Sequence, residues 1–255
     1  MTPGTLEKAA RILDLFTPVR PEWGVSEVAR ELGIPTSSAH LTLSSLARTG
    51  LLHRTLAGRY RLGFKLLSLC QTLLTNTPWR DVAQDEMAAL SRSCGESVGL
   101  AAFDGGQLVH VAGSAGRLLV GRPVRRAGEI LPVHASAGGK VMLASRPWKA
   151  VRGMVEAQGE EQGLPRYTEN TITALDELEG ELGRVRRRGY AHDIAEVWPE
   201  VCGVAAPVHN HNGEVIAALS IEASSERFGD RQKDLLDRVL GSAAEISARI
   251  GYGGR

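Results

Sequence analysis

The segment from Val25 to Leu62 restricts the fold more than any other part of the chain. A short apolar-periodic run, Val25, Val28, Ala29 and Leu32, stops at Gly33, where positive φ is often required. Ile34-Pro35 leads into a longer periodic run from Thr36 to Thr49, with Ala39, Leu43 and Leu46 facing inward and Gly50 as its stop. Two β-like runs follow, Leu51 to Thr55 and Arg59 to Leu62, joined through Ala57-Gly58. A short helix, a glycine turn, a longer helix and a hairpin is the order of a winged helix-turn-helix. A preceding helix is expected with Thr5 as its cap and Leu6, Ala9, Leu13 and Phe16 on one face, ending at Pro18 and Pro21. Ser26 is expected to cap the second helix.

The longer helix is the candidate DNA reader. Thr36, Ser37, Ser38, His40, Leu41, Thr42 and Ser45 are assigned to its outward face, where short hydroxyls suit phosphate and base-edge contacts. From Pro35 to Arg61 there is no Asp or Glu, and the cations are Arg48, Arg54, Arg59 and Arg61. The formal net charge is only +1, so attraction to nucleic acid has to come from such a local basic surface. The alternatives are an ordinary helical bundle with a solvated basic edge and a winged helix that serves as a protein-interaction module.

The chain changes character near residue 75. Phe64 to Leu74 reads as a helix too apolar to stand in water, and it is expected to pack against its copy in a homodimer or a dimer of dimers. Asn76-Thr77-Pro78 is a plausible break. The expected division is residues 1–63 for the winged helix, 64–78 for a linker helix, and 79–255 for an effector-binding domain. Beyond the break, a helix near Trp79 to Cys94 precedes a hairpin of Val98 to Phe103 and Leu108 to Ala112, joined by Asp104-Gly105-Gly106. A second hairpin pairs Val204 to Val208 with Val215 to Ile221 around Asn212-Gly213. Leu175 to Arg188 reads as an exposed, charged helix, and Gln232 to Ile250 as a closing amphipathic one. The fold class expected is α+β.

Cys70, Cys94 and Cys202 are odd in number and widely spaced, so neither a disulfide framework nor a zinc finger is indicated. The first residues lack an apolar signal segment, and no run approaches the ~18 residues of a membrane span, so a cytoplasmic location is expected.

The segments TLEKAARILDLF and VSEVARELGIPTSSAHLTLSSLARTGLLHRTLAGRYRLG resemble the DNA-binding domain of the IclR family of bacterial regulators. Four later segments match the same family in the same order: LPVHASAGGKVMLA at 131–144, Tyr167 to Ile172, Arg188 to Ala191, and Gly203 to Val208 with Ala218 to Ser220. The resemblance implies a GAF-like C-terminal domain, with a curved antiparallel sheet flanked by helices around a small-molecule pocket, and no cofactor. It also implies double-stranded operator DNA and a small organic or aromatic acid as partners. Ala137, Gly138, Asp193, Gly203, Ser220 and Glu222 match family positions that hold small-acid effectors. His134 opens the glycine-rich segment and joins the candidate set.

Three positions depart from the family pattern. Leu41 stands where an arginine is common, which shifts readout toward the neighbouring hydroxyls, with Leu41 available to a thymine methyl. Cysteine is common at the Gly203 position and here sits at Cys202. A small hydroxyl residue is common where Glu222 stands; a carboxylate there repels a simple anion but accepts hydrogen bonds from a hydroxyl or binds a cation. Leu118, Leu119, Val120 and Leu131 are available as an apolar wall.

Residues 134–140 also superficially resemble a P-loop. The match fails, because a Walker motif needs Gly where His134 stands and Ser or Thr where Val141 stands. An enzyme using His134, Asp193, Cys202 and Ser220 is the competing reading, but there is no GxSxG elbow and no HExxH. His134, Asp193 and Cys202 form a zinc site only if they converge, and His209 with His211 lacks a third ligand. Each singled-out residue also has a purely structural role open to it: His134 as filler, Asp193 as a turn acceptor, Cys202 as a small buried hydrophobe. Glu222 faces water if its strand shifts by one residue. Arg184, Arg186, Arg187 and Arg188 read as a solvated helix face balanced by Glu177, Glu179 and Glu181.

Overall fold

The computed structural model describes residues 4–117, 125–157 and 164–254 and divides into two compact units, Met1–Thr77 and Pro78–Arg255. The first contains α1 (Thr5–Leu13), α2 (Val25–Leu32), α3 (Thr36–Arg48), β1 (Leu52–Arg54), β2 (Tyr60–Leu62) and α4 (Lys65–Thr75). Its core gathers Ile12, Trp23, Val28, Ala39, Leu43, Leu52 and Tyr60. Trp23 fixes the wing to the helices: its backbone pairs with Tyr60, and its indole Nε1–H donates to the Leu15 carbonyl at 2.8 Å.

The expected caps are corrected. Gly4 and Gly24 occupy the cap positions, and Thr5 and Ser26 lie inside the helices. The amides are satisfied from the other direction: Glu7 accepts from Gly4 N–H at 3.3 Å, and Glu27 from Gly24 N–H at 2.8 Å. This is the carboxylate half of a capping box, which needs no cap side chain. On α1, Leu6 is turned to solvent and Ile12 is the buried residue. Gly33 closes α2 with φ 62°, a left-handed conformation that costs a non-glycine residue about 1–2 kcal/mol. No residue of α4 is buried, and Phe64, Leu67, Leu69 and Leu73 are exposed.

The second unit contains α5 (Pro78–Cys94), β3 (Ser97–Asp104), β4 (Gln107–Ser114), β5 (Ile130–Leu131), α6 (Ala137–Ala144), α7 (Trp148–Ala157), α8 (Leu175–Arg188), β6 (Ala191–Trp198), β7 (Val201–His209), β8 (Val215–Ser224) and α9 (Ser225–Arg249). All strand pairs are antiparallel, in the order β5-β4-β3-β8-β7-β6. The α+β architecture expected from the sequence is therefore present.

The period of two along a strand divides the sheet into two faces. One carries Cys202, Val204, Ala206 and Val208 of β7 with Ala217, Leu219, Ile221 and Ala223 of β8, and packs on α5 and α9. The other carries Ala205 and Ala218 and packs on α6, α7 and α8. Buried Glu96 pairs with Arg227 at 3.0 Å and with Arg231 at 3.3 Å, tying the start of β3 to α9. The helix expected to be charged and exposed, α8, is amphipathic: Leu178, Leu182 and Val185 are buried, and Glu181 is buried between Arg184 and Arg188, each at 2.8 Å. Arg186 is occupied too, donating to the carbonyls of Ala144 and Arg146.

Candidate functional site

Helix α3 turns Ala39, Leu43 and Leu46 into the first unit's core. Thr36, Ser37, His40 and Leu41 are exposed, and Ser38 and Ser45 half-buried. Two members of the proposed DNA face are removed from it. Thr42 is buried and its hydroxyl donates to the Ser38 carbonyl at 3.0 Å, an internal bond back to the preceding turn. Arg59 is taken up by α2, donating to Glu27 at 2.8 Å and to the Glu22 carbonyl at 3.1 Å. Glu27 is correspondingly held below the usual carboxylate range, first by the Gly24 amide and then by Arg59. Arg54 and Arg61 remain exposed on the wing, and Arg48 is exposed while donating to Ser45 at 3.2 Å. Sequence reasoning missed Lys8, whose ammonium donates to Ser38 Oγ at 2.9 Å and adds a cation beside the start of α3.

In the second unit, Ala137, Gly138, Asp193, Gly203, Ser220 and Glu222 line one cleft, together with Ala101, His110, Leu131 and Ser136. The strand register explains the convergence. Gly203 lies opposite Asp193 on one side and Glu222 on the other, and Ser220 lies opposite Gly99. Helix α6 begins at the cleft. Ser136 caps it, accepting from Gly139 N–H at 3.2 Å and donating to the Pro132 carbonyl at 2.6 Å. The amides of Ala137 and Gly138 have no acceptor inside the helix, so they and the helix dipole offer a pole for an anion. A Cβ on Gly139 would stand 2.0 Å from the Val133 carbonyl oxygen, so only glycine lets the chain enter α6 here. The cleft is nearly closed, with a volume of about 20 Å³, room for on the order of one water.

His134 does not belong to this cleft. Its Nε2 is engaged by the Pro165 carbonyl at 2.9 Å, and its ring stacks on Tyr167 with centroids 5.6 Å apart. Cys202 faces the opposite core, beside Val204, so the catalytic and zinc combinations built on His134, Asp193 and Cys202 do not assemble. No group of three His, Cys, Asp or Glu is placed to hold a metal among the described residues. His209 stacks on Tyr252. Of the expected apolar wall, Leu131 lines the cleft; Leu118, Leu119 and Val120 lie outside the described residues.

The cleft's electrostatics come largely from residues that sequence reasoning missed. Glu222 is paired across its mouth with Arg125 at 3.1 Å, and Arg125 also reaches Glu129 at 3.2 Å. His110 is buried, its Nε2 has no hydrogen-bond partner, and burial with Arg125 pushes its pKa down to about 4. The spacing of Leu108, His110 and Ala112 does not reveal it, because a register shift at Leu100/Ala101 puts Leu108 and Ala112 on opposite faces of the sheet. Behind the cleft, buried Lys140 of α6 pairs with buried Glu196 of β6. Asp193 Oδ1 accepts from the Glu196 amide at 2.7 Å and from Val197 N–H at 3.4 Å. Burial, assisted by the Glu196 and Glu222 charges, pushes the Asp193 pKa up to about 7 against the opposing pull of that amide bond and Lys140.

Asp193 and Glu196 are aimed by a bulge in β6 at which Ala195 adopts φ 54°. The Tyr167–Ile172 segment clamps it. Thr168 donates to the Ala195 carbonyl at 2.7 Å, Thr171 to the Glu196 carbonyl at 2.7 Å, and Asn170 to the Ile194 carbonyl at 3.2 Å. Strain in such a backbone, about 1–3 kcal/mol, is offset by those bonds.

The model of the bacterial transcriptional regulator IclR C-terminal domain matches residues 71–248, and that of the IclR helix-turn-helix domain matches residues 5–56. The chain belongs to the IclR family. The glycerol operon regulatory protein of Streptomyces coelicolor is 32% identical, with 98% of this chain and 97% of the relative covered. Among solved structures, an IclR transcriptional regulator from Silicibacter superposes with TM-score 0.84 at 26% identity, covering 99% of this chain and 98% of that one. An IclR homolog from Microbacterium hydrocarbonoxydans, crystallised with 4-hydroxybenzoate, superposes with TM-score 0.81 at 24% identity, covering 97% and 99%. This IclR-family protein is thus a transcriptional regulator with an N-terminal helix-turn-helix and a C-terminal ligand-binding domain. No helix among its described residues is long and apolar enough to cross a membrane.

Proposed function

We propose that this protein binds operator DNA through α3 and the wing, and that a small carboxylic acid bound between α6 and β8 controls its operator affinity. The observation that carries the reading is the cleft. Residues far apart in sequence, from Ala137 to Glu222, meet where the free amides of α6 begin. The DNA half is supported by the stretch from Pro35 to Arg61, which holds no Asp or Glu and carries exposed hydroxyls with Arg48, Arg54 and Arg61. The exposed apolar face of α4 supports a homodimer or dimer of dimers, which would present two readers to half-sites about one helical turn or a multiple apart. Because the cleft is nearly closed, admitting a ligand parts its lining, and a ligand that binds the opened form better shifts the population toward it. Coupling of this kind is typically ~1–3 kcal/mol.

The test measures binding of duplex DNA from the promoter region beside the protein's own gene, as a function of salt, with and without a panel of organic and aromatic acids. Log affinity is expected to fall with log salt at about 0.9 per phosphate contact, and at least one acid is expected to shift affinity severalfold. A flat salt dependence would refute the DNA reading. Failure of every acid to change either operator affinity or thermal stability would refute the effector reading.

A further inference from the structure

We infer that the cleft selects a hydroxylated carboxylic acid, with the carboxylate at the α6 amides and the hydroxyls read by Glu222, Ser220 and His110. The inference rests on the reading of the cleft as the effector site and concerns what the site admits. Its two ends differ in hydrogen-bonding sense. At α6 the amides of Ala137 and Gly138 are donors, reinforced by the helix dipole.

At the opposite end Glu222 and Ser220 present acceptors, and His110 presents a ring nitrogen that a hydroxyl can meet as donor or as acceptor. Glu222 contributes a carboxylate. Ser220 spends its proton on the Gly99 carbonyl at 3.3 Å, which leaves its oxygen as an acceptor. His110 is only 3% exposed and its Nε2 has no partner. A buried polar atom left in that state is costly unless a ligand satisfies it. Acceptors at this end call for O–H or N–H donors on the ligand.

Arg125 decides between a hydroxyl and an ammonium group. Its Nε–H donates to both oxygens of Glu222, at 3.1 and 3.4 Å, while its Nη1 reaches Glu129, so the guanidinium sits directly on the Glu222 carboxylate and partly offsets its charge while lone pairs remain. A ligand cation would meet that guanidinium as a like charge, whereas a neutral hydroxyl would not. An acid without hydroxyls would leave His110 Nε2 and the remaining lone pairs of Glu222 and Ser220 unmet, and sites built on buried hydrogen bonds discriminate strongly against analogues that lack the group.

The test is isothermal titration calorimetry on the full chain at pH 7.5 with three matched series. The first is the aldonates erythronate, ribonate and gluconate; the second is butyrate, valerate and hexanoate; the third is 4-aminobutyrate and 6-aminohexanoate. At least one aldonate is expected to bind tenfold or more tightly than the alkanoate of equal length and than either amino acid. Glu222→Ser should lower aldonate affinity at least tenfold while leaving alkanoate affinity unchanged or raised. His110→Phe keeps a flat ring without its nitrogens; it should weaken aldonates severalfold and spare alkanoates, with circular dichroism verifying that both variants fold. Alkanoates binding as tightly as aldonates, or amino acids binding tightest, would overturn the proposal and leave the cleft as the acid site. Gly138→Val, which fills the cleft, separates the deeper failure. If none of these acids and no aromatic acid binds the parent, or if binding survives Gly138→Val, the cleft is not the effector site and both readings fall.

Discussion

The buried pair behind the cleft allows a quantitative test of what holds α6 in place. Lys140 is 1% exposed and Glu196 7% exposed. The ammonium is bonded to Glu196 Oε1, while Oε2 has no partner. Lys140→Met keeps most of the side-chain volume and deletes the charge. Glu196 then stays buried without its counter-ion, a situation that costs about 3–5 kcal/mol when a buried pair is broken from one side. Burial already raises the Glu196 pKa, with Lys140 opposing that rise, so losing Lys140 raises it further. The loss is therefore greatest at alkaline pH and shrinks as the carboxyl gains a proton. Lys140→Met/Glu196→Leu removes both charges and is expected to stay within about 1–2 kcal/mol of the parent, because two apolar groups replace a desolvated pair. Urea unfolding at pH 8 and pH 5 reads the effect. Trp79, Trp148 and Trp198 report on the second unit and Trp23 on the first, so the transition that moves can be assigned. A coupling energy below about 1 kcal/mol at pH 8, where neighbouring groups of this kind couple by about 0.5–3 kcal/mol, would refute the argument.

Three further outcomes follow from the geometry. Asp193 has a folded pKa of about 7 against an ordinary 3.8, so the native state keeps a proton that the unfolded chain releases. Its contribution to stability is greatest below pH 4 and is lost as pH rises toward 7; Asp193→Asn, which retains the Oδ1 acceptor, should be stabilised relative to the parent at pH 8 but not at pH 4, as melting curves would show. Arg59→Ala should lower the melting temperature of the first unit without changing the salt slope of DNA binding, whereas Arg61→Ala should leave stability unchanged and lower that slope by about 1; the reverse pattern would show that the two arginines have been assigned the wrong roles. Thr168→Val removes the hydroxyl bonded to the Ala195 carbonyl and should destabilise the second unit by about 1–2 kcal/mol, with faster amide exchange across β6.

What could be read from the sequence was set by periodicity and turn chemistry. The α2–α3 turn was legible because Gly33 follows an apolar set at helical spacing, and the β3–β4 hairpin because Asp104-Gly105-Gly106 separates two alternating runs. Thr42 is polar and so reads as outward, yet it lies within about 60° of Ala39 around the helix axis, well inside the buried arc. The caps were misread because a glutamate three residues inside the helix satisfies the amide, leaving Gly4 and Gly24 with no side-chain signature. Cleft residues Gly203, Ser220 and Glu222 were accessible through the family resemblance, with the spacing of Ser220 and Glu222 also placing those two on one face of their strand. His110, Arg125 and the Ala195 bulge were not, since each depends on a pairing or a close approach between segments distant in sequence. His134 was assigned to the wrong place for a related reason: it is near the cleft in sequence, but the Pro165 carbonyl fixes its ring elsewhere.

The alternation along β7 and β8 makes the sheet a partition between two kinds of change. Cys202, Val204, Leu219 and Ile221 hold the α5–α9 side together, while Gly203, Ser220 and Glu222, interleaved with them, look the other way. On the proposed reading of the cleft, replacing a residue of the second set alters what the cleft admits and leaves the first set's packing in place. One pair of strands thereby serves as a fixed frame with exchangeable fittings. A descendant of this regulator could come to answer a different small molecule through substitutions at those alternate positions, without a new fold and without disturbing the helices that fold against its back.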